Sequence, residues 1–343
     1  MKLNDYLQNG KVYMIAEMSA NHGGSLERAM EIVEAAAEAG ADCLKVQTYT
    51  ASTMTLDSDK SYFKLTKGLW AGYTRYALYK EGAMPWEWQG KIKARCEELG
   101  MDFLSTAFDF SSVDFLESID VGAYKVASFE LTDIPLLKYI SKTGKPIILS
   151  CGMGKKEEIQ EAVSAIHEAG ASQIVLLKCT SEYPARFEDM NIRLIPQMEI
   201  DFGCPIGLSD HSRGDTIAVG AVALGAKVIE KHFCISRKEK TPDSSFSMEC
   251  EEYRQMVIDV RNLEAALGCN EYILSETEMN GRVNRRSIFV SRDVAKGQML
   301  TADNIRLVRP AHGLHPRYYD DVLGKTATRD LEEGEPLYES DYQ

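Results

Sequence analysis

The sequence predicts an α/β fold: a (β/α)8 barrel over residues 1–270, a linker over 271–286 and a small α+β domain over 287–343. Three observations predict it. Amphipathic helical stretches end in glycine and run at once into short apolar segments, as at Gly40, Gly100, Gly144, Gly170 and Gly225. Eight apolar, β-rich runs occur, at about 12–16, 42–47, 102–105, 122–127, 146–150, 173–178, 205–208 and 227–231. No G-x-G-x-x-G follows the first of them, which argues against an open dinucleotide-binding sheet.

Each element has a physical reason. Glycine supplies the left-handed conformation that ends a helix, and a strand covered on both faces is apolar throughout. Repeated helix-to-strand alternation makes parallel units, and eight of them favour closure. The region 48–83 is too long for a simple loop. It carries Tyr49, Tyr62, Phe63, Trp70, Tyr73 and Tyr76, so it reads as an ordered excursion over the barrel mouth, either a lid or a subunit contact. A last barrel helix is expected at about 249–267, and Ser275 to Arg286 is polar and linker-like. The remaining segment is small enough to need support from the barrel or from a second subunit.

A formal charge of −13 disfavours nucleic acid and anionic membranes as partners. Residues 1–10 lack the apolar stretch of a signal peptide, and no window reaches the roughly 20 apolar residues of a membrane span, so the protein reads as cytoplasmic. The eight cysteines form no C-x-x-C pair, which fits reduced, structural thiols.

In such a barrel the reactive groups sit at the C-terminal ends of the strands. Here those ends carry Glu17; Lys45 and Gln47; Thr106; Lys125 and Ser128; Ser150; Lys178 and Ser181; Ser209, Asp210 and His211; and Glu230, Lys231 and His232. Lysines ending strands two, four, six and eight of an acidic protein point to a bound phosphate or carboxylate, with hydroxyls as further donors. His211 and His232 end adjacent strands. They form either a hydrogen-bonded core pair or the ligands of a divalent transition metal, and their strand-end placement favours the metal, with Asp210 as an orienting partner. His22 follows strand one, where it shapes the turn or touches substrate.

These residues resemble the sialic acid synthases, a family whose barrel is followed by an antifreeze-like (SAF) domain. The matching segments are Ile15–His22, Lys45–Thr48, Ser105–Phe108, Tyr124–Glu130, Leu149–Met153, Lys178–Pro184, Gly207–His211 and Glu230–Phe233, all in order. Ala20–Ser25, Gly68-Leu69-Trp70, Ser244–Ser247 and Gly313–Pro316 are most similar to the pseudaminic acid synthase branch. N-acetylneuraminate and legionaminate synthases carry a G-P-D-H-like stretch where this chain has Thr241-Pro-Asp243-Ser244.

The resemblance implies a phosphoenolpyruvate site made of Lys45, Thr106, Lys125, Ser128, Ser150, Ser181 and Ser209. It implies a divalent metal, Mn²⁺ or Mg²⁺, on His211 and His232. Contacts to an amino-sugar aldose are implied for Glu17, Gln47, Tyr183 and Asp243. Arg309 is implied to reach the neighbouring barrel of a domain-swapped homodimer. The expected acceptor is 2,4-diacetamido-2,4,6-trideoxy-L-altrose, and N-acetylneuraminate or legionaminate synthesis is the alternative. Glu130 is the expected base for the attacking water, with Glu17 also at the reacting centre. Metal affinity is expected to fall as pH drops through about 6.5. A Schiff-base aldolase using Lys125 or Lys178 is a second enzyme reading, and a non-catalytic sugar-binding or ice-structuring protein is the reading from another class.

Overall fold

A computed structural model of the chain describes residues 2–171 and 173–343. Eight strands, β1 (Tyr13–Glu17), β2 (Cys43–Thr48), β3 (Asp102–Ala107), β4 (Tyr124–Val126), β5 (Ile147–Ser150), β6 (Ile174–Cys179), β7 (Ile206–Asp210) and β8 (Val228–Cys234), pair in parallel in chain order. β1 also pairs with β8, in the register Glu17 to His232, so the sheet closes. A short β9 (Met248–Glu249) extends β8. The barrel is therefore the one the apolar runs predict, with the largest boundary error at the last strand, expected at 227–231.

The glycines at the helix-to-strand joins adopt the left-handed conformation, with φ of 87° at Gly40, 72° at Gly100, 72° at Gly144, 99° at Gly170 and 101° at Gly225. A side chain there would be strained, so glycine ends each helix and turns the chain into the next strand. The helix Leu26–Glu38 shows how the outer layer forms. Ser25 caps it by accepting from the Arg28 amide, and Ala29, Ile32, Val33 and Ala36 form its buried stripe.

Successive residues of a strand face opposite sides of the sheet, and the buried apolar residues separate accordingly. Met14, Leu44, Phe103, Tyr124, Ile147, Leu176, Leu208 and Ile229 join the layer between sheet and helices. Tyr13, Ile15, Cys43, Leu104, Ala123, Ile148, Val175, Leu177 and Val228 fill the barrel interior. A helix that sequence reading missed, Leu3–Asn9, lays Leu3, Tyr6 and Leu7 against that interior cluster. Its signal was the i, i+3, i+4 spacing of those three residues. The barrel thus has an apolar, plugged floor.

The chain divides into two compact units, Met1–Gly268 and Cys269–Gln343. In the second, β10 (Ser287–Val290) pairs antiparallel with β11 (Ile305–Val308) over a core that includes Ile288, Val290, Leu300, Ile305, Leu331 and Leu337. The stretch read as a linker holds a short helix, Glu276–Gly281. Among the described residues no helix is long and apolar enough to cross a membrane.

Candidate active site

The same alternation decides which strand-end side chains enter the barrel. Lys45 follows the parity of Cys43, Lys125 that of Ala123 and Ser150 that of Ile148, and all three line one cavity with Thr106 and Ser209. The Lys125 ammonium donates to Ser150 Oγ at 2.7 Å and to the Val126 carbonyl at 2.9 Å. Lys45 donates to Thr106 Oγ1 at 3.2 Å and pairs with Glu17 at 2.8 Å and Glu230 at 3.4 Å. Glu230 Oε2 has no hydrogen-bond partner and lies 4.0 Å from Lys125 Nζ.

Burial pushes the Glu17 carboxyl up, against the pull of Lys45. Burial acts on Glu230 in the same sense but is outweighed by Lys125, Lys45 and His211, which hold that carboxyl down. Lys45, Lys125 and the hydroxyls of Thr106, Ser150 and Ser209 line the same cavity, a set of donors suited to an anion. Beside them, Ser128 Oγ accepts from the Gly152 amide at 3.0 Å. A β-carbon on Gly152 would stand 2.3 Å from Ser181 Oγ and 2.7 Å from Ser128 Oγ, so only glycine lets these two hydroxyls converge.

Glu17 and Gln47 begin the other half of the cavity. Gln47 Nε2 donates to Glu17 Oε1 at 2.9 Å and to Ser19 Oγ at 3.0 Å, and Ser19 donates in turn to Asp243 Oδ2. Asp243 also accepts from the Ala20 amide, and burial raises its carboxyl despite these bonds. Tyr183 lines the cavity above the histidines, its ring centroid 4.2 Å from that of His211 and 6.0 Å from that of His232.

The two imidazoles face each other with centroids 5.4 Å apart and planes at 64°. His211 Nδ1 bonds the Thr180 carbonyl at 2.9 Å, which makes that nitrogen the donor and, in the neutral ring, leaves Nε2 with a free lone pair. His232 Nδ1 is buried without a protein partner. Burial, with His211, Lys45, Lys231 and Lys125 nearby, pushes His232 well below the ordinary histidine value, so its ring stays neutral. Burial also acts downward on His211, but Cys179 and the Thr180 carbonyl outweigh it and raise its pKa. Cys179 lines the cavity too. Although burial acts to raise its thiol, the charge of His211 brings it down to about 7.

Two readings of the strand ends are corrected. Lys178 and Lys231 have the parity of Leu176 and Ile229 and point away from the cavity. Lys178 donates to Thr180 Oγ1, and Lys231 donates to Asp210 at 2.6 Å and to the Ser212 and Gly214 carbonyls. Asp210 accepts from Lys231 and from Ser212, not from a histidine, so Thr180 takes the orienting part expected of it.

Glu130 stands outside the cavity lining. It is half-buried with Oε2 unpaired, and burial raises its carboxyl to about 7 against the pull of Lys125. His22 accepts from the Gly24 amide at 3.0 Å and shapes the turn. Arg309 is exposed at the end of β11 in the small unit. Sequence reading gave no role to Glu230, Cys179, Ser19, Phe108 or Phe129. Strict alternation from Val228 would have placed Glu230 inside.

Residues 32–272 match the NeuB family model. The chain belongs to the NeuB family. Residues 285–343 match the SAF domain, so this NeuB-family barrel carries the antifreeze-like module expected after it. The chain is 42% identical to the pseudaminic acid synthase of Campylobacter jejuni over 343 residues, covering 100% of both chains. It is 39% identical to the pseudaminic acid synthase of Helicobacter pylori over 331 residues, covering 96% of this chain and 97% of that one. Among solved structures, the N-acetylneuraminic acid (sialic acid) synthetase of Leptospira borgpetersenii, crystallised with citrate, matches with a TM-score of 0.71 at 30% identity, covering 79% of this chain and 90% of that one.

Proposed function

We propose that the chain catalyses the pseudaminic acid synthase reaction: phosphoenolpyruvate, 2,4-diacetamido-2,4,6-trideoxy-L-altrose and water give pseudaminic acid and phosphate. The observation that carries this reading is the two-part cavity, where Lys45 and Lys125 with their hydroxyls adjoin a facing pair of imidazoles. The full-length likeness to relatives of that name supports the choice of acceptor.

Lys45, Lys125, Thr106, Ser128, Ser150, Ser181 and Ser209 hold the phosphate and carboxylate of the donor, and Gln47, Tyr183, Asp243 and Glu17 orient the acceptor. The residues fit a divalent cation, Mn²⁺ or Mg²⁺: both imidazoles present nitrogen atoms that no protein donor occupies. No group of three or more metal-binding side chains exists among the described residues, so substrate oxygen and water would complete the coordination. Such a cation supplies Lewis acidity toward the aldehyde oxygen.

C3 of the donor attacks the aldehyde carbon, and Glu17, whose carboxyl burial raises against the pull of Lys45, passes a proton to the oxygen that becomes a hydroxyl. Water adds to the electron-poor C2 as Glu130 takes its proton. The C2–O bond to the phosphate then breaks, the new hydroxyl gives its proton to the departing phosphate as C2 becomes a ketone, and Lys45 and Lys125 stabilise the departing charge.

We further place the enzyme in the cytoplasm, where its eight unpaired cysteines stay reduced. We also read it as a homodimer that exchanges its small units so that Arg309 serves the neighbouring barrel. The deciding experiment offers phosphoenolpyruvate with a panel of diacetamido-trideoxy-hexoses and N-acetylmannosamine, then follows phosphate release and product mass. A product formed only from N-acetylmannosamine would move the assignment to N-acetylneuraminate synthesis.

A further inference from the structure

The excursion between β2 and β3 ends in a tip that touches the site through one side chain. Residues 66–69 and 71–73 are exposed, and Trp70 alone among them turns inward. The tip is a closed turn: Leu65 donates to the Tyr73 carbonyl, Gly72 to Leu65 and Ala71 to Gly68. The Trp70 indole N–H donates to the Pro242 carbonyl at 3.2 Å, and its ring packs against Tyr183 with centroids 5.7 Å apart and planes tilted at 55°.

Both contacts lead to the acceptor half of the cavity. Tyr183 is held between Trp70 and the His211 imidazole, and Pro242 is the neighbour of Asp243, which Ser19 joins to Gln47 and Glu17. Trp70 makes no stack or hydrogen bond with Lys45, Lys125, Thr106 or Ser150.

We propose that Trp70 is a positioning residue for the acceptor sugar, clamping the loops after β6 and β8 so that Tyr183 and Asp243 are held at the spacing the sugar needs. A ring wedged on Tyr183 restricts its rotation, and the indole hydrogen bond fixes the second loop to the same point. The excursion is thereby a working part of the acceptor site. This inference rests on the function proposed above.

The test measures binding of phosphoenolpyruvate alone, and of 2,4-diacetamido-2,4,6-trideoxy-L-altrose alone, by calorimetry, and the KM for each in turnover. Wild type is compared with Trp70→Ala, Trp70→Phe and Leu69→Ala, the last an exposed neighbour on the same tip. Trp70→Ala is expected to weaken acceptor binding and raise its KM at least tenfold, with the donor constants changing less than twofold. Trp70→Phe keeps a ring on Tyr183 but loses the hydrogen bond, and is expected to recover most of the loss. Leu69→Ala should match wild type.

Donor and acceptor constants moving together, neither moving, or Leu69→Ala matching Trp70→Ala would overturn the inference while leaving wild-type turnover to support the proposed reaction. Should Trp70→Ala not fold, Trp70→Phe decides by the same split, with a threefold acceptor effect expected. A wild-type protein that binds no phosphoenolpyruvate and releases no phosphate overturns the proposed reaction and this inference with it.

Discussion

The Lys45 ammonium lies 2.8 Å from Glu17 Oε2, with both side chains buried inside the barrel. Glu230 approaches the same ammonium at 3.4 Å, so one cation serves two carboxyl groups. Lys45→Met is therefore expected to destabilise the fold by roughly 3–5 kcal/mol, the usual cost of leaving a buried charge without its partner. Donor affinity should fall about 100-fold as a charge-assisted contact is lost. Denaturant unfolding and calorimetry with phosphoenolpyruvate check the two effects; unchanged donor affinity would remove Lys45 from the site.

Lys231→Met is the contrasting case. Its ammonium is held by Asp210 and two carbonyls on the outer side of β8, so a destabilisation of roughly 3–5 kcal/mol is expected again. Donor KM should stay within about twofold in the surviving folded fraction. A donor effect matching that of Lys45→Met would mean that the outward lysine also reaches substrate.

Glu130 gives a pH prediction. Its folded pKa is raised to about 7, so the folded protein holds a proton that the unfolded chain releases between the ordinary carboxylate range and pH 7. The stability this contributes is present at low pH and is lost as pH rises through about 7. Glu130→Gln should abolish that loss and, at pH 8, be more stable than wild type by up to about 3 kcal/mol. Wild-type turnover should rise as pH passes through about 7, and the variant should lose about 100-fold in kcat together with the inflection. A pH–rate profile with the wild-type inflection intact in the variant would assign the base elsewhere.

His232→Ala should abolish divalent-cation binding in equilibrium dialysis with Mn²⁺ and leave the circular dichroism unchanged. Because burial keeps His232 neutral well below the ordinary histidine range, His211, whose pKa is raised, should govern how loading falls with pH. The fall should then begin above pH 6.5, higher than two unperturbed imidazoles would give. Full activity after chelation and dialysis would remove the metal from the reaction.

Arg309→Ala should weaken acceptor use far more than donor use. Mixed with His232→Ala under subunit exchange, it should regain activity, since a heterodimer would contain one barrel with both an intact His232 and the partner's arginine. No recovery despite demonstrated exchange would place Arg309 within its own protomer's chemistry or outside it altogether.

Much of this architecture was legible because it is written locally. Glycine after an amphipathic helix and a run such as Ile174–Leu177 report the helix end and the buried strand without reference to distant residues. The orientation of each strand end was less legible. Lys45 and Lys231 both follow apolar runs, and a strand apolar on both faces hides which side is which until its parity is counted from residues known to be inside. The packing of Trp70 against Tyr183 and the shared Lys45 ammonium were beyond local reading, because each depends on where separate barrel units bring their ends together. His211 and His232 were legible as neighbours only because adjacent units deliver them at the same height.

The Leu3–Asn9 helix stoppers one end of the barrel, leaving a vessel with a single opening. Under the proposed reaction, donor and sugar both have to use that one mouth, so a sugar that arrives first stands in the donor's way. Excess sugar should then act as a dead-end inhibitor against the donor, a kinetic signature imposed by a seven-residue plug at the opposite pole from the chemistry.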